Sequence, residues 1–390
     1  MGSRLINVRG VVMQKIRSLI IALVKTILKS FFFLFPVKKN KILFINFNGR
    51  GYGCNPKYIA EEILSRNLDF DLVWPVNNMS DTFPQGIRKV EYRPNIKYFY
   101  EVATAKVIVT NVKNDLCFFK KKGQYVIQTW HGPRGFKRCE GDALDTLSPS
   151  YIKESKHNSK QTDLFISNSR DLSDYYRTSF WCECEIMECG FPRNDIFFRD
   201  SNSVNAKVRE FFGIDKNSKI VMYAPTFRDD DSTDAYRLDT QRLLSAFNKQ
   251  GGDWVLLIRL HPNAASHSDI FEYSDKVINA TPYPDMQELL FVCDALITDF
   301  SSTVCQMALM KKANYLYAVD LEEYNALRGL QPAFSKMPYK FNTSMDELIE
   351  TVSEDTAENI VKNAEKFVAD FGFTDNGTAS KQIVDKILNL

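Results

Sequence analysis

His131 stands where an apolar run gives way to glycines, a position from which an imidazole can move a proton. It lies in Gln128-Thr129-Trp130-His131-Gly132-Pro133-Arg134-Gly135-Phe136-Lys137, just past the strand-like run Tyr125 to Thr129, and is one of 4 histidines in the chain. Sites in open α/β sheets gather outside the carboxyl ends of strands, and an imidazole titrating near neutrality suits a base that deprotonates a hydroxyl nucleophile. A second histidine, His261, follows the run Trp254 to Arg259 in the order Arg259-Leu260-His261-Pro262. Arg259 and His261 are two residues apart, so an extended chain points both to one side, where together they can neutralise charge growing on a phosphate leaving group. His157 and His267 sit in the polar segments KHNSK and SHSD and read as solvated.

Other run ends carry polar groups of the same kind. Asp294 to Thr298 reads as a buried strand that breaks into Asp299-Phe300-Ser301-Ser302 and a helix running through Met310. Ser301 and Ser302 would add hydroxyls to the free N–H groups and positive dipole end of that helix, which suits a phosphate as well as an ordinary cap. Lys219 to Ala224 stops at Pro225-Thr226-Phe227-Arg228. Gly190 and Pro192 turn the chain ahead of Arg193, whose planar fork either clamps a phosphate or pairs with Asp195. Glu288, early in the helix opened by Pro284, Asp285 and Met286, either binds ribose hydroxyls or compensates the helix dipole. The loop Asn48-Gly49-Arg50-Gly51-Tyr52-Gly53 is a phosphate loop, a substrate-approach loop or a tight turn.

These residues need strands to carry them. Short, unbroken apolar runs at 41–47, 70–76, 106–110, 125–129, 163–167 and 185–188 suit parallel strands buried on both faces, and runs at 219–224, 254–259, 294–298 and 314–318 repeat the pattern. With 390 residues, 44% hydrophobic and 25% charged, the chain is long enough for two domains. The pattern divides it into an arm at 1–38, a first α/β domain at 39–200, a second at 205–372 after a polar linker, and a return helix at 373–390.

Charge is unevenly spread. The net charge is +2, yet residues 1–41 hold nine Lys/Arg and no acid, leaving 41 basic against 48 acidic residues, or −7, in the rest. Basic character confined to one arm argues against a nucleic-acid surface. Wound at about 100° per residue, the arm places Arg4, Lys15, Lys25 and Lys29 on one narrow side and Ile16, Leu19, Ile20, Leu23, Ile27 and Phe31 elsewhere. Lys25 and Lys29 interrupt the apolar stretch that a span needs, so residues 8–35 read as an amphipathic helix lying in an anionic membrane surface. The 8 cysteines lack zinc-site spacing: Cys182, Cys184 and Cys189 cluster, but Cys182 and Cys184 simply share one strand face. Free thiols without a cleavable signal suggest a reducing compartment.

Six stretches, NFNGRGYGCNPKYI, QTWHG, CGFPRND, MYAPTFRDDD, IRLHP and MQELLFVCDALITDFSS, together resemble the CDP-glycerol glycerophosphotransferase family of teichoic-acid primases and polymerases and their capsule-building relatives, in the same order. The resemblance implies a GT-B fold, two Rossmann-like domains facing a cleft, with the donor held mostly by the second domain. It implies a peripheral, monotopic enzyme at the cytoplasmic face of the bacterial plasma membrane. Its substrates would be a CDP-polyol and an undecaprenyl-linked saccharide or growing polymer. By motif, His131 corresponds to the catalytic base and His261 to its partner at the pyrophosphate. Gly132, Pro133, Arg134, Gly135, Arg193, Pro225, Thr226, Arg228, Arg259, Leu260, Glu288, Ser301, Ser302 and Gln306 are the expected substrate neighbours. No cofactor is implied; a divalent cation such as Mg²⁺ is compatible but has no residue cluster pointing to it. Two departures bear on the cargo: the usual HGTPLK reads HGPRGFK here, and Gln306 stands where an acid is expected. A nucleotide-sugar glycosyltransferase on the same scaffold is the alternative expectation, and an inactive membrane-bound scaffold a third.

Overall fold

Parallel strands cannot be joined by hairpins, so each must be followed by a crossover, usually a helix. In the computed structural model this rule generates two separate parallel sheets. The structure describes residues 32–113, 120–200, 202–228, 233–331 and 337–390, with positions 23, 26, 27, 30, 334 and 335 besides. The first sheet contains β1 (Lys38–Ile45), β2 (Asp71–Val76), β3 (Ile87–Glu91), β4 (Ala105–Thr110), β5 (Tyr125–Gln128), β6 (Leu164–Ser167) and β7 (Glu185–Glu188), in the order β3-β2-β1-β4-β5-β6-β7. The second contains β8 (Lys219–Tyr223), β9 (Trp254–Ile258), β10 (Val277–Asn279), β11 (Ala295–Thr298), β12 (Ala313–Tyr317) and β13 (Phe341–Asn342), in the order β10-β9-β8-β11-β12-β13. All ten apolar runs read from the sequence are strands, the edge strand β7 included. The sequence reading passed over β3, β10 and β13. β10 and β13 are 3 and 2 residues long, and β3, IRKVE, is half polar; all three are edges that bury little, so their hydrophobic signal is weak.

Each order reverses once, between β1 and β4 and between β8 and β11. At such a switch point the loops on either side leave in opposite directions and open a crevice beyond the carboxyl ends. The polar linker expected at 201–206 is mostly helix, Asn202–Phe212.

Three contacts hold the two units together. Helix Cys54–Ser65 carries Lys57 into a buried ionic cluster with Asp285 and, at 3.1 Å, Glu288 of the second unit. Tyr58 donates to Asp285 at 3.3 Å, and Lys207 pairs with Glu288 at 2.7 Å. A strap from the second unit lies along the segment after β5: Gln331 N donates to the Phe136 carbonyl at 2.7 Å, and Lys137 and Leu330 form an antiparallel bridge. Finally the chain returns. Helix Ala357–Phe371 packs Phe367 and Phe371 into the cluster of Phe136, Phe300 and Phe334. Gly372 then caps it at φ +62, in the left-handed region that glycine enters without a steric cost. Helix Ala379–Leu388 buries Ile383, Val384 and Ile387 in the core of the first sheet.

Residues 1–22 of the proposed amphipathic arm lie outside the described residues. Positions 23, 26, 27, 30 and 32 are helical, with Leu23 and Ile27 exposed. Phe32 is buried, stacking on Phe99 at 5.7 Å. Lys121 donates to the carbonyls of Phe32 (3.2 Å) and Phe35 (2.7 Å), satisfying acceptors a helix end leaves open. Among the described residues no helix is long and apolar enough to cross a membrane.

Lys57 is buried, and removing it strands the Asp285 carboxylate without its cation. Lys57→Met is therefore expected to cost about 3 to 5 kcal/mol of stability, measured as a lowered urea midpoint, whereas Lys381→Met on an exposed helix pair should cost under about 1 kcal/mol.

Candidate functional site

The carboxyl ends of β1, β5, β8, β9 and β11 open onto one cleft of about 490 Å³ between the two sheets. Phe47, Trp130, His131, Gly132, Pro133, Gly135 and Lys137 line it from the first unit; Pro225, Thr226, Arg259, Leu260, His261, Ser301 and Ser302 line it from the second. Both histidines face this space, and their backbone partners give them opposite roles.

The ring Nδ1 of His131 lies 3.0 Å from the carbonyl oxygen of Asn111, just past β4. A carbonyl only accepts, so Nδ1 carries the proton and Nε2 keeps its lone pair. Asn111 is itself pinned: its Nδ2 donates to Asn46 at 2.8 Å, and its Oδ1 accepts from Phe47 N at 2.9 Å. Trp130 covers the ring at a centroid distance of 4.0 Å and adopts φ +52, a left-handed backbone that costs energy for a bulky residue. Burial pushes the His131 pKa down to about 4, with the Arg193 charge adding to the effect against the Asn111 hydrogen bond and Glu140. The imidazole is therefore neutral at neutral pH, with its Nε2 lone pair unprotonated. His261 is set the other way. Its Nδ1 accepts from the backbone N–H of Asn263 at 3.1 Å, which puts the proton on Nε2. Burial, Lys137, Arg50 and Arg259 hold its pKa below the ordinary histidine value.

Cations and donors complete the cleft. Arg259 donates to the carbonyls of Ala280 (2.9 Å) and Thr281, and among the described residues it has no carboxylate partner. Among the described residues the Thr226 hydroxyl has no hydrogen-bond partner, while its backbone N–H is held by Asp299 at 2.8 Å. The helix after β11 is Thr303–Leu309. Ser301 Oγ accepts from Thr303 N (3.3 Å) and Thr303 Oγ1 (3.0 Å), so it serves its own helix start. Ser302 instead turns toward Gly132: its Oγ lies 3.3 Å from where a Gly132 Cβ would be. The Arg193 guanidinium lies beneath the same glycine, 2.6 Å from that point.

Residues 27–389 match the family model described as CDP-Glycerol:Poly(glycerophosphate) glycerophosphotransferase. The chain belongs to this family. It is 30% identical over 372 residues to the teichoic acid poly(glycerol phosphate) polymerase of Staphylococcus epidermidis, covering 90% of this chain but 51% of that one, about half its length. It is 27% identical to the protein of the same name from Bacillus spizizenii, covering 97% and 99%. A teichoic acid poly(ribitol-phosphate) polymerase of Bacillus spizizenii is 26% identical, over 92% of this chain and 57% of the relative. The wall teichoic acid polymerase TagF, solved as a histidine-to-asparagine variant soaked with CDPG, superposes with a TM-score of 0.81 at 28% identity, covering 90% and 89%. The α/β architecture of two parallel sheets is that of these GT-B-like neighbours.

Around this cleft, four expected contacts are placed elsewhere. Arg228 is locked between Asp299 (2.9 Å) and Asp320 (2.6 Å), flanked by the Phe300 and Tyr324 rings, and lies off the cleft wall. Arg134 stacks on Tyr175 and bonds Asp171 (3.1 Å) and Gln331 (3.0 Å), so it ties the strap to the first unit. Glu288 is held in the Lys57 cluster away from the cleft; burial would raise its pKa, but Lys57 and Lys207 hold it below the usual carboxylate range. Gln306 is buried behind Gly132 and meets Arg193. Nor does Arg193 pair with Asp195, whose oxygens instead accept from Ala379 N (3.1 Å) and Ser380 N (2.8 Å) of the return helix. Conversely, Lys137 lines the cleft although its spacing alone did not single it out. Burial pushes its pKa down to about 8, with Arg328 and Arg228 adding and Asp299 opposing. Cys182 and Cys184 bring their sulfurs to 3.3 Å, and among the described residues no three His, Cys, Asp or Glu side chains gather as a metal site.

A histidine buried neutral binds fewer protons folded than unfolded between its two pKa values, so stability falls as pH drops through that window. Between pH 6.5 and about 4 the His131 contribution amounts to about 3 kcal/mol. Urea denaturation at pH 7 and pH 4.5 should show wild type losing more stability on acidification than His131→Asn.

Proposed function

We propose that this chain transfers a polyol phosphate, either glycerol phosphate or a relative such as ribitol phosphate, from a CDP-activated donor to a hydroxyl of a lipid-linked saccharide or growing surface polymer. The observation that carries the reading is the pair of opposed imidazoles in one cleft, a lone pair on His131 and an N–H on His261. The acceptor hydroxyl gives its proton to His131 Nε2 as its oxygen attacks the β-phosphorus of the donor. The bond from that phosphorus to the bridging oxygen breaks, and CMP departs. His261 Nε2–H, Arg259 and Lys137 meet the charge on the leaving phosphate, in a cleft walled by Phe47, Trp130 and Phe300. Groups already fixed before the ligand arrives stabilise such charge without reorganising. His131 is protonated only in acid, so at neutral pH its Nε2 lone pair is free to take the acceptor's proton.

The arm at residues 8–35, with its lysine side and apolar remainder, docks the enzyme peripherally on the cytoplasmic face of the plasma membrane, where a lipid-linked acceptor is presented. Relatives named for glycerol phosphate and for ribitol phosphate match 97% and 92% of this chain; of the two departures, Gly132, Pro133, Gly135 and Lys137 of HGPRGFK line the cleft, while Gln306 reaches it only through Arg193.

Purified enzyme offered CDP-glycerol, CDP-ribitol and nucleotide sugars, each with a lipid-linked saccharide in detergent, should release CMP from one CDP-polyol and form a phosphodiester. Release from a nucleotide sugar alone would replace this reading with glycosyl transfer. His131→Ala should lower kcat by at least about a thousandfold while CDP still binds. Ser302→Ala is expected to raise the donor KM, and Ser301→Ala to cost about 1 kcal/mol of stability with little change in KM.

A further inference from the structure

Two buried arginines near the cleft are treated in opposite ways. Arg228 and Arg193 are each 8% exposed. Arg228 is neutralised by the carboxylates of Asp299 and Asp320. Among the described residues no carboxylate pairs with the Arg193 guanidinium. Its Nε and Nη2 instead meet the side-chain amide of Gln306, which accepts from both at 3.0 Å when its oxygen faces them, and from Gln287 Nε2 at 3.2 Å. The remaining neighbour of that oxygen is Asn194 Oδ1 at 3.1 Å, so three donors against one acceptor set the amide's orientation. Gln306 is fully buried on helix Thr303–Leu309 and cannot turn away to water. The backbone N–H of Arg193 is held by Asn55 Oδ1 at 3.1 Å, and its Nη1 lies 3.9 Å from Cys54 Sγ, so the side chain is fixed from both ends.

An amide orients a guanidinium as a carboxylate would, without cancelling its charge. Burying a cation without a counter-charge is costly, so the arrangement favours whatever brings one. The place where it acts is defined by Gly132, at φ +152 on the cleft wall beside His131: any larger residue there would collide with Arg193 Nη2. We propose that Gln306 is a positioning residue that aligns Arg193 while leaving it an uncompensated cation under Gly132 and Ser302, so that the phosphates of a diphosphate ligand supply the missing negative charge. The assignment of a diphosphate rests on the donor reading given above.

Gln306→Glu keeps the side chain's shape and adds the charge that is missing. Two consequences are expected, and the first needs no donor. His131 is flanked by Arg193 and Glu140, with Lys137, Arg259 and His261 elsewhere on the cleft and Arg50 beside His261. Cancelling the Arg193 field must let the His131 pKa rise from about 4, read by NMR titration of histidine-labelled protein with His131→Asn as the assignment control. The second is weaker binding of inorganic pyrophosphate and of CDP, by about tenfold or more in calorimetry. Arg193→Met should reproduce both effects, and it carries the test if the glutamate variant does not fold. Unchanged pyrophosphate affinity, or an unmoved His131 titration, in a folded variant would overturn the proposal. If both readouts shift but no CDP-polyol supports transfer, the donor reading fails and the role of Gln306 stands.

Discussion

A strand in a parallel sheet leaves its carboxyl end on the same edge as every neighbour, and the rest of this molecule follows from that constraint. All the loops that carry polar groups emerge from one edge of each sheet, and at the two reversals of strand order they part to leave room for a ligand. One sheet contributes a histidine and its glycines, the other an arginine, a second histidine and two serines. The Lys57–Asp285–Glu288 cluster, the Gln331 strap and the returning helix bring the edges together.

Charge in the interior sorts into two kinds. Lys57, Arg228 and Lys41 are buried with carboxylates close by, and these pairs hold elements in place. Removing either partner of such a pair exposes the cost of an unpaired buried charge. Arg193, Arg259 and Lys137 are clustered around the cleft and bonded to amides, carbonyls or an aromatic face instead. Among the described residues they are desolvated without a carboxylate partner, which leaves the cleft electropositive. The same field, together with burial, keeps His131 unprotonated. Fixed cations of the cleft wall thus stand beside an imidazole that is held neutral.

Small backbone details set the histidines' roles. Asn111 and Asn263 offer a carbonyl and an N–H respectively, and each leaves its histidine a single tautomer. Asn46 fixes Asn111 in turn. Such partners lie one layer behind the reacting atoms, and a shift in them would misplace a proton.

Much of this was legible before any coordinates. Unbroken apolar runs announce parallel strands because both faces of such strands are buried, and turn residues at their ends mark where a site can form. Hence ten strands, both histidines, Pro225, Thr226, Arg259, Ser301 and Ser302 could be read from local pattern, and all these site residues line the cleft. Edge strands were harder to see because they bury too little to leave a hydrophobic signature. Partner choice was not legible at all. Arg193, Arg228, Arg134 and Glu288 look alike as charged residues beside turns, but whether each faces a ligand or a counter-ion depends on groups such as Gln306, Asp320, Gln331 and Lys57, which are far away in sequence. Electrostatic pairing acts through space over a few ångströms, and only the tertiary fold, within the second unit for Arg228 and between the units for the others, decides which charges come that close.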